Sequence, residues 1–209
     1  MADYDALKKK VQELADRDWD EAAIKARVKK LVEDGIPKKD FDPQDLLANK
    51  QKILDRVQLR AEEYNWIAQN CARSTALAVM EEFGLGNLEV TKALSPFPGF
   101  GGTGWMCGGV TGGLIALGLN FGNEDFQDYE AVGSSIMAAR EFMSRFEDQT
   151  GAVICPKLHE EVVFGRYMDP AASPENMEAF AQEKGFEKCG IFPGIGARIA
   201  AEIIIDSMQ

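Results

Sequence analysis

The stretch Trp105-Met-Cys107-Gly-Gly-Val-Thr-Gly-Gly-Leu-Ile-Ala-Leu-Gly-Leu119 constrains this chain more than any other. A cysteine stands where a glycine-rich loop, Phe97-Pro-Gly-Phe-Gly-Gly-Thr-Gly104, turns into an apolar helix. Beyond it, Gly108, Gly112 and Ala116 recur every fourth residue and so line one helix face, with Val110, Leu114 and Leu117 as an apolar stripe beside them. Each glycine costs such a helix roughly 1 kcal/mol relative to alanine. The segment therefore forms only when buried among neighbours, and its small face marks where another backbone comes close.

The remaining sequence bounds the class. The chain has 209 residues, enough for one core and a small appendage. No apolar run reaches the roughly 18 residues of a membrane span. The polar, acidic start, Met-Ala-Asp-Tyr-Asp, is not a secretory signal, so a cytoplasmic location is expected. A net charge of −11 argues against nucleic acid or an anionic lipid surface as partner and suits docking to a basic surface. A single histidine leaves little material for histidine-based catalysis.

Taken in order, the pattern predicts an all-α fold, a compact multi-helix core with an N-terminal helical hairpin. Residues 1–42 read as two amphipathic helices. Leu7, Val11 and Leu14 give the first its apolar face; Trp19, Ala22, Ala23, Ala26 and Leu31 serve the second, stopped by Gly35 and Pro37. The stripe is thin and the segment rich in charge, so it reads as an appendage or docking element, with residues 43–209 as the main domain. Asp42 caps the next helix and Pro43 opens it. Helices follow to about Trp66, from Cys71 to Phe83, over 87–94, after Cys107, over about 126–146, after Cys155, from Ser173, and finally from Gly196. Residues 161–164 are the one β-branched cluster, too short for a sheet.

Cys71, Cys107, Cys155 and Cys189 are separated by 36, 48 and 34 positions, so no CxxC pair exists. Each falls at or just before a predicted helix start, and Cys155 is followed by Pro156, which suits a first helical turn. Helix N-termini stabilise thiolates. Four thiolates so placed suit an iron–sulfur cluster, and the same ligands suit a structural zinc ion. Four inert buried thiols are the plain alternative, and spacing alone does not separate these.

Asn70-Cys71-Ala72, the Gly-Phe-Gly-Gly-Thr-Gly loop ahead of Cys107-Gly-Gly-Val-Thr-Gly-Gly-Leu, Cys155 with its polar helix, and Cys189 ahead of Ala200-Ala-Glu-Ile together resemble the C-GCAxxG-C-C family of redox-active proteins. The resemblance covers roughly residues 45–209 and rests on all four cysteines in order. It implies cluster binding or thiol redox chemistry at Cys71, Cys107, Cys155 and Cys189, an anaerobic setting, and a kinship with the cluster-associated domain of split-Soret cytochromes. Four positions depart from the pattern: Met106 and Gly108 flank the motif cysteine, the later glycine is Gly112, one place beyond the pattern, and Arg73 stands two places after the first cysteine. The expected function is thus electron transfer through a four-cysteine iron–sulfur cluster, [2Fe–2S] ahead of [4Fe–4S], with zinc as the alternative metal. The competing readings are a thiol–disulfide oxidoreductase and an accessory subunit with a structural four-cysteine site. The expected partners are a redox protein or larger enzyme complex, or a second copy of the chain.

Other residues near the cysteines carry weaker expectations. His159 lies four after Cys155, on the same helix face, and reads as a surface or supporting group rather than a ligand. Arg73 and Arg198 read as surface ion pairs. Trp105, Phe97 and Phe100 read as a wall against solvent. The 97–104 loop, with glycines at four of its eight positions, is expected to wrap N–H groups round an anionic site.

Overall fold

The computed structural model describes residues 2–208, and among them there is helix but no strand. The N-terminal helices are α1 (Tyr4–Asp16) and α2 (Glu21–Asp34), each capped by an aspartate side chain that accepts from the third residue on: Asp3 from Ala6 N, Asp20 from Ala23 N. After α3 (Pro43–Ala48), the chain breaks at Asn49 and restarts as α4 (Lys50–Ala68), where the sequence pattern suggests one continuous helix. Then come α5 (Cys71–Phe83), α6 (Leu88–Ala93), a distorted turn α7 (Gly99–Gly102) and α8 (Gly108–Phe121). The second half holds α9 (Tyr129–Thr150), α10 (Cys155–Leu158) running into a π-helical turn (His159–Val163), α11 (Pro174–Gln182), α12 (Gly185–Lys188) and α13 (Ile191–Asp206). The β-branched cluster at 161–164 thus lies largely in the π turn.

Helix α8 is the hub, and its glycines say why. A Cβ at Gly112 would overlap the Ala72 carbonyl of α5 and stand 2.8 Å from Thr75 Cβ. One at Gly109 would come within 2.6 Å of the Phe192 carbonyl of α13, and one at Gly113 would overlap the Phe142 ring of α9. Three helices therefore press against one that has given up its side chains to admit them. Helices α4 and α13 close the bundle, packing on each other and on α5. Helix α13 starts five residues before the expected Gly196; Pro193 is tolerated in its first turn, where no intrahelical N–H bond is required.

The two N-terminal helices sit on the bundle. Helix α1 lies against α12, the π turn and α13, and α2 lies against α4. Leu7, Val11, Leu14, Ile24 and Leu31 are buried within the same apolar cluster as Ile191, Phe192 and Ile203. Arg17 and Lys10 of this region reach Glu62, at 3.1 and 3.4 Å, a carboxylate only 2 % exposed. No described helix is long and apolar enough to cross a membrane.

Candidate functional site

Cys71 is the first residue of α5. Asn70 caps that helix through its side-chain oxygen and ties the preceding turn down by donating to the Ser95 carbonyl at 3.1 Å. Cys107 is the N-cap of α8, and Cys155 is the first residue of α10, ahead of Pro156. Cys189 closes α12 and precedes α13 by two residues. Two backbone bonds hold the middle pair side by side: Cys107 N donates to the Val153 carbonyl at 2.8 Å and Cys155 N to the Gly104 carbonyl at 3.0 Å. All four cysteines line one cavity of about 110 Å³.

The remaining lining is mostly apolar. Leu158, Tyr167, Phe180, Phe186 and Phe192 wall the cavity, while Asn65 and Asp169 add polar groups. The aromatics expected to do this lie elsewhere. Trp105 is 75 % exposed, and Phe100 packs edge-on against Phe97 with its own ring more than half exposed. The aromatic wall residues come from the 167–192 segment, whose one motif residue is Cys189.

Burial dominates the electrostatics. It pushes the Cys71 thiol up to about 12, helped by the neighbouring Cys155, while the backbone N–H groups of Gly108 and Gly99 act the other way. Burial likewise raises Cys189. Cys107 is raised first by its hydrogen bond to Cys155, and Cys155 is lowered by the same bond, so Cys107 keeps the proton and Cys155 carries the thiolate character. Cys107 is fully buried, and all four thiols are free.

The glycine loop does not form the expected cage. Phe100, Gly101, Gly102 and Gly104 spend their N–H groups on the carbonyls of Phe97, Pro96, Pro98 and Gly99, closing the loop on itself. Only the Gly99 N–H, just after Pro98, acts on a site sulfur, that of Cys71. Gly99, Gly102 and Gly104 instead line the cavity with bare backbone. Gly104 has φ +78°, and a Cβ there would stand 2.7 Å from the Tyr167 hydroxyl.

His159 is buried and lines the cavity, so of the surface and supporting roles read from sequence the structure excludes the surface one. Its Nδ1 is 3.0 Å from the Met168 carbonyl and its Nε2 3.6 Å from the Cys189 sulfur. Phe164, Tyr167 and Phe180 surround the ring. Arg198 does form the expected surface pair, with Asp55 at 2.7 Å. Arg73 makes no ion pair among the described residues and lines a separate groove with Tyr64, Leu77 and Lys92. Among the described residues, no three His, Cys, Asp or Glu side chains form a group that could hold a metal ion.

No curated protein and no solved structure matches the chain. A family model described as "Putative redox-active protein (C_GCAxxG_C_C)" matches residues 69–203, from just before Cys71 to beyond Cys189. That span is well over half of the chain and holds every cysteine and the whole cavity lining except Asn65, so the protein belongs to the C_GCAxxG_C_C family of redox-active proteins.

Proposed function

We propose that this protein transfers electrons through an iron–sulfur cluster held by Cys71, Cys107, Cys155 and Cys189. The observation that carries the reading is that four cysteines spread over four segments all line one small cavity. Two thiols suffice for disulfide chemistry; four around one space match the donor count of a cluster. The cysteines form no ready-made single-ion site, and a cluster does not ask them to meet at one point, because it occupies the space between them.

When bound, such a cluster supplies reversible electron exchange at a potential set by burial and by hydrogen bonds to its sulfurs. The chain's own residues do the rest. Asn70 and Pro156 fix the helix starts that present Cys71 and Cys155. The Gly108, Gly99 and Gly109 N–H groups favour thiolate at Cys71 and Cys107. Phe180, Phe186 and Phe192 exclude water. A partner exchanging electrons here would dock on a surface of net charge −11, which suits a basic face.

Anaerobic purification of the full chain tests this. Brown protein with stoichiometric iron and acid-labile sulfide, lost on Cys→Ser substitution at any of the four positions, is the expected result. Colourless protein with one zinc per chain would overturn it.

A second reading rests on the Cys107–Cys155 pair. Their shared proton leaves Cys155 as the more nucleophilic thiol. Oxidation would join the two sulfurs: the Cys155 thiolate attacks a disulfide acceptor, Cys107 then displaces the acceptor sulfur, and the acceptor leaves as one thiol and one thiolate carrying the two electrons and the one shared proton. Colourless, metal-free protein that gains one Cys107–Cys155 bridge with such an oxidant would favour it.

A further inference from the structure

Helix α5 has a second face that lines an open space. Cys71, Ala72 and Thr75 turn toward the glycines of α8. Arg73, Ser74 and Leu77 instead line a groove of about 360 Å³ that shares no residue with the four-cysteine cavity. Its apolar walls are Val28, Leu31 and Val32 of α2, Ile67 of α4, Leu77 of α5 and Leu88 of α6. Helices α2 and α4 precede residues 69–203, so half of the groove lies outside the span matched by the family. Small-molecule sites occupy roughly 300–1,000 Å³ and combine apolar walls with a few polar groups, as this groove does.

The polar side chains of the groove can be accounted for one by one. The Tyr64 hydroxyl donates to Glu81, the Ser74 hydroxyl to the Asn70 carbonyl and the Thr91 hydroxyl to the Leu88 carbonyl. At the rim Lys92 pairs with Glu89 at 3.4 Å. Arg73 bonds through its backbone N–H, 3.1 Å from Asn70 Oδ1. Its guanidinium has no partner among the described residues. Seven of the nine arginines pair with a carboxylate. Arg140, the other exception, stands exposed on α9, whereas Arg73 is partly buried against the apolar groove. In a chain of net charge −11 carboxylates are plentiful, so a cation without one beside apolar walls leaves a place for an anion from outside.

We propose that this groove binds an amphiphilic carboxylate, a medium-chain fatty acid, with its head on Arg73 and its chain along Leu31, Ile67 and Leu77. A guanidinium presents its N–H donors in a planar fork that matches a carboxylate. One negative charge balances Arg73; the second charge of a phosphate head would face Glu89 at the rim. The groove lies at the small end of the range for ligand sites, which suits a medium rather than a long chain. The inference stands apart from the cluster reading, since neither the cysteines nor a metal takes part.

Calorimetric titration of the full-length chain with octanoate, octan-1-ol and octylammonium tests it. Octanoate should bind about tenfold or more tightly than octanol, as a charge-assisted hydrogen bond supplies, and octylammonium should bind weakest. Arg73→Gln should remove the advantage of octanoate and leave the octanol affinity unchanged. Methyl spectra of the isoleucine, leucine and valine side chains locate the ligand: Leu31, Leu77 and Leu88 should shift, and Leu158 of the cysteine cavity should not. Octanol binding as tightly as octanoate, octanoate binding unchanged in Arg73→Gln, shifts centred on Leu158, or no binding at all would each overturn the proposal. The comparison of the three ligands on the wild-type chain holds whether or not the variant folds.

Discussion

A Cβ added to Gly108 would overlap the sulfur of Cys71 and stand 2.7 Å from Ala72 N. The glycine directly after one site cysteine is thus what leaves room for another. It also presents its N–H to that sulfur. Gly108 is therefore a part of the site as well as of the α5–α8 packing.

Gly108→Ala should force α5 and α8 apart at the cysteines. Overpacking of this kind costs about 1–3 kcal/mol, and here the strain falls on Cys71. The variant should melt lower and hold less cluster. Gly118→Ala is the control, since a Cβ there meets nothing within 4 Å. In the same helix it should raise stability by roughly 0.5–1 kcal/mol and leave cluster content alone. Denaturant melts with iron counts on both variants check this; equal behaviour would refute a site role for Gly108.

Tyr64 gives the fold a definite alkaline signature. Its ring is buried and its hydroxyl donates to Glu81. Burial first, and the Glu81 charge second, hold its pKa well above the usual 10. The folded state keeps a proton that the unfolded chain loses near pH 10. The stabilising effect is complete below that pH and is lost as pH rises towards the folded value. Tyr64→Phe should cost about 1.5–3 kcal/mol at neutral pH, as for a hydrogen bond to a charged group. The gap to wild type should then narrow between about pH 10 and 12. A constant gap across that range would contradict the assignment.

Deleting residues 1–42 strips cover from the site's own supports. Helix α1 lies on α12 and the π turn, and Lys184, just ahead of α12, donates to the Ala15 carbonyl at 2.9 Å. Val11 and Leu14 leave the core with it. The shortened chain should melt at a lower temperature, and Cys189 should react faster with an alkylating agent. Unchanged melting and reactivity would instead mark residues 43–209 as self-sufficient.

What the sequence disclosed follows from what leaves a periodic trace. Gly108, Gly112 and Ala116 recur every fourth residue, so the small face of α8 was legible; Gly109 and Gly113, offset by one, carry a second face for Phe192 and Phe142. Asn70 and Pro156 are residues with strong positional preferences, so the helix starts at Cys71 and Cys155 were legible too. The role of His159 was not. A π turn of five residues is too short to show a period, and the Cys189 contact joins positions 30 apart. Tyr167 and Asp169 belong to a loop that approaches the cavity only in three dimensions. Trp105 misled because one loop aromatic has no face to assign.

Helix α9 separates pattern from burial. Val132, Ile136, Phe142 and Phe146 all fit one 3.6-residue period, yet Phe142 and Phe146 are fully buried while Ile136 is 54 % exposed. The reason lies in α8: Phe142 enters the space left by Gly113, and the first turns of α9 lie beyond that contact. Phe142→Ala should therefore cost about 3–5 kcal/mol, the usual range for emptying a buried aromatic site. Ile136→Ala should stay within about 0.5 kcal/mol of wild type, as exposed positions do. Denaturant unfolding of both variants at one protein concentration measures the contrast. A costly Ile136→Ala would mean that the exposed face of α9 is covered in solution, and a cheap Phe142→Ala would mean that α9 does not dock on Gly113.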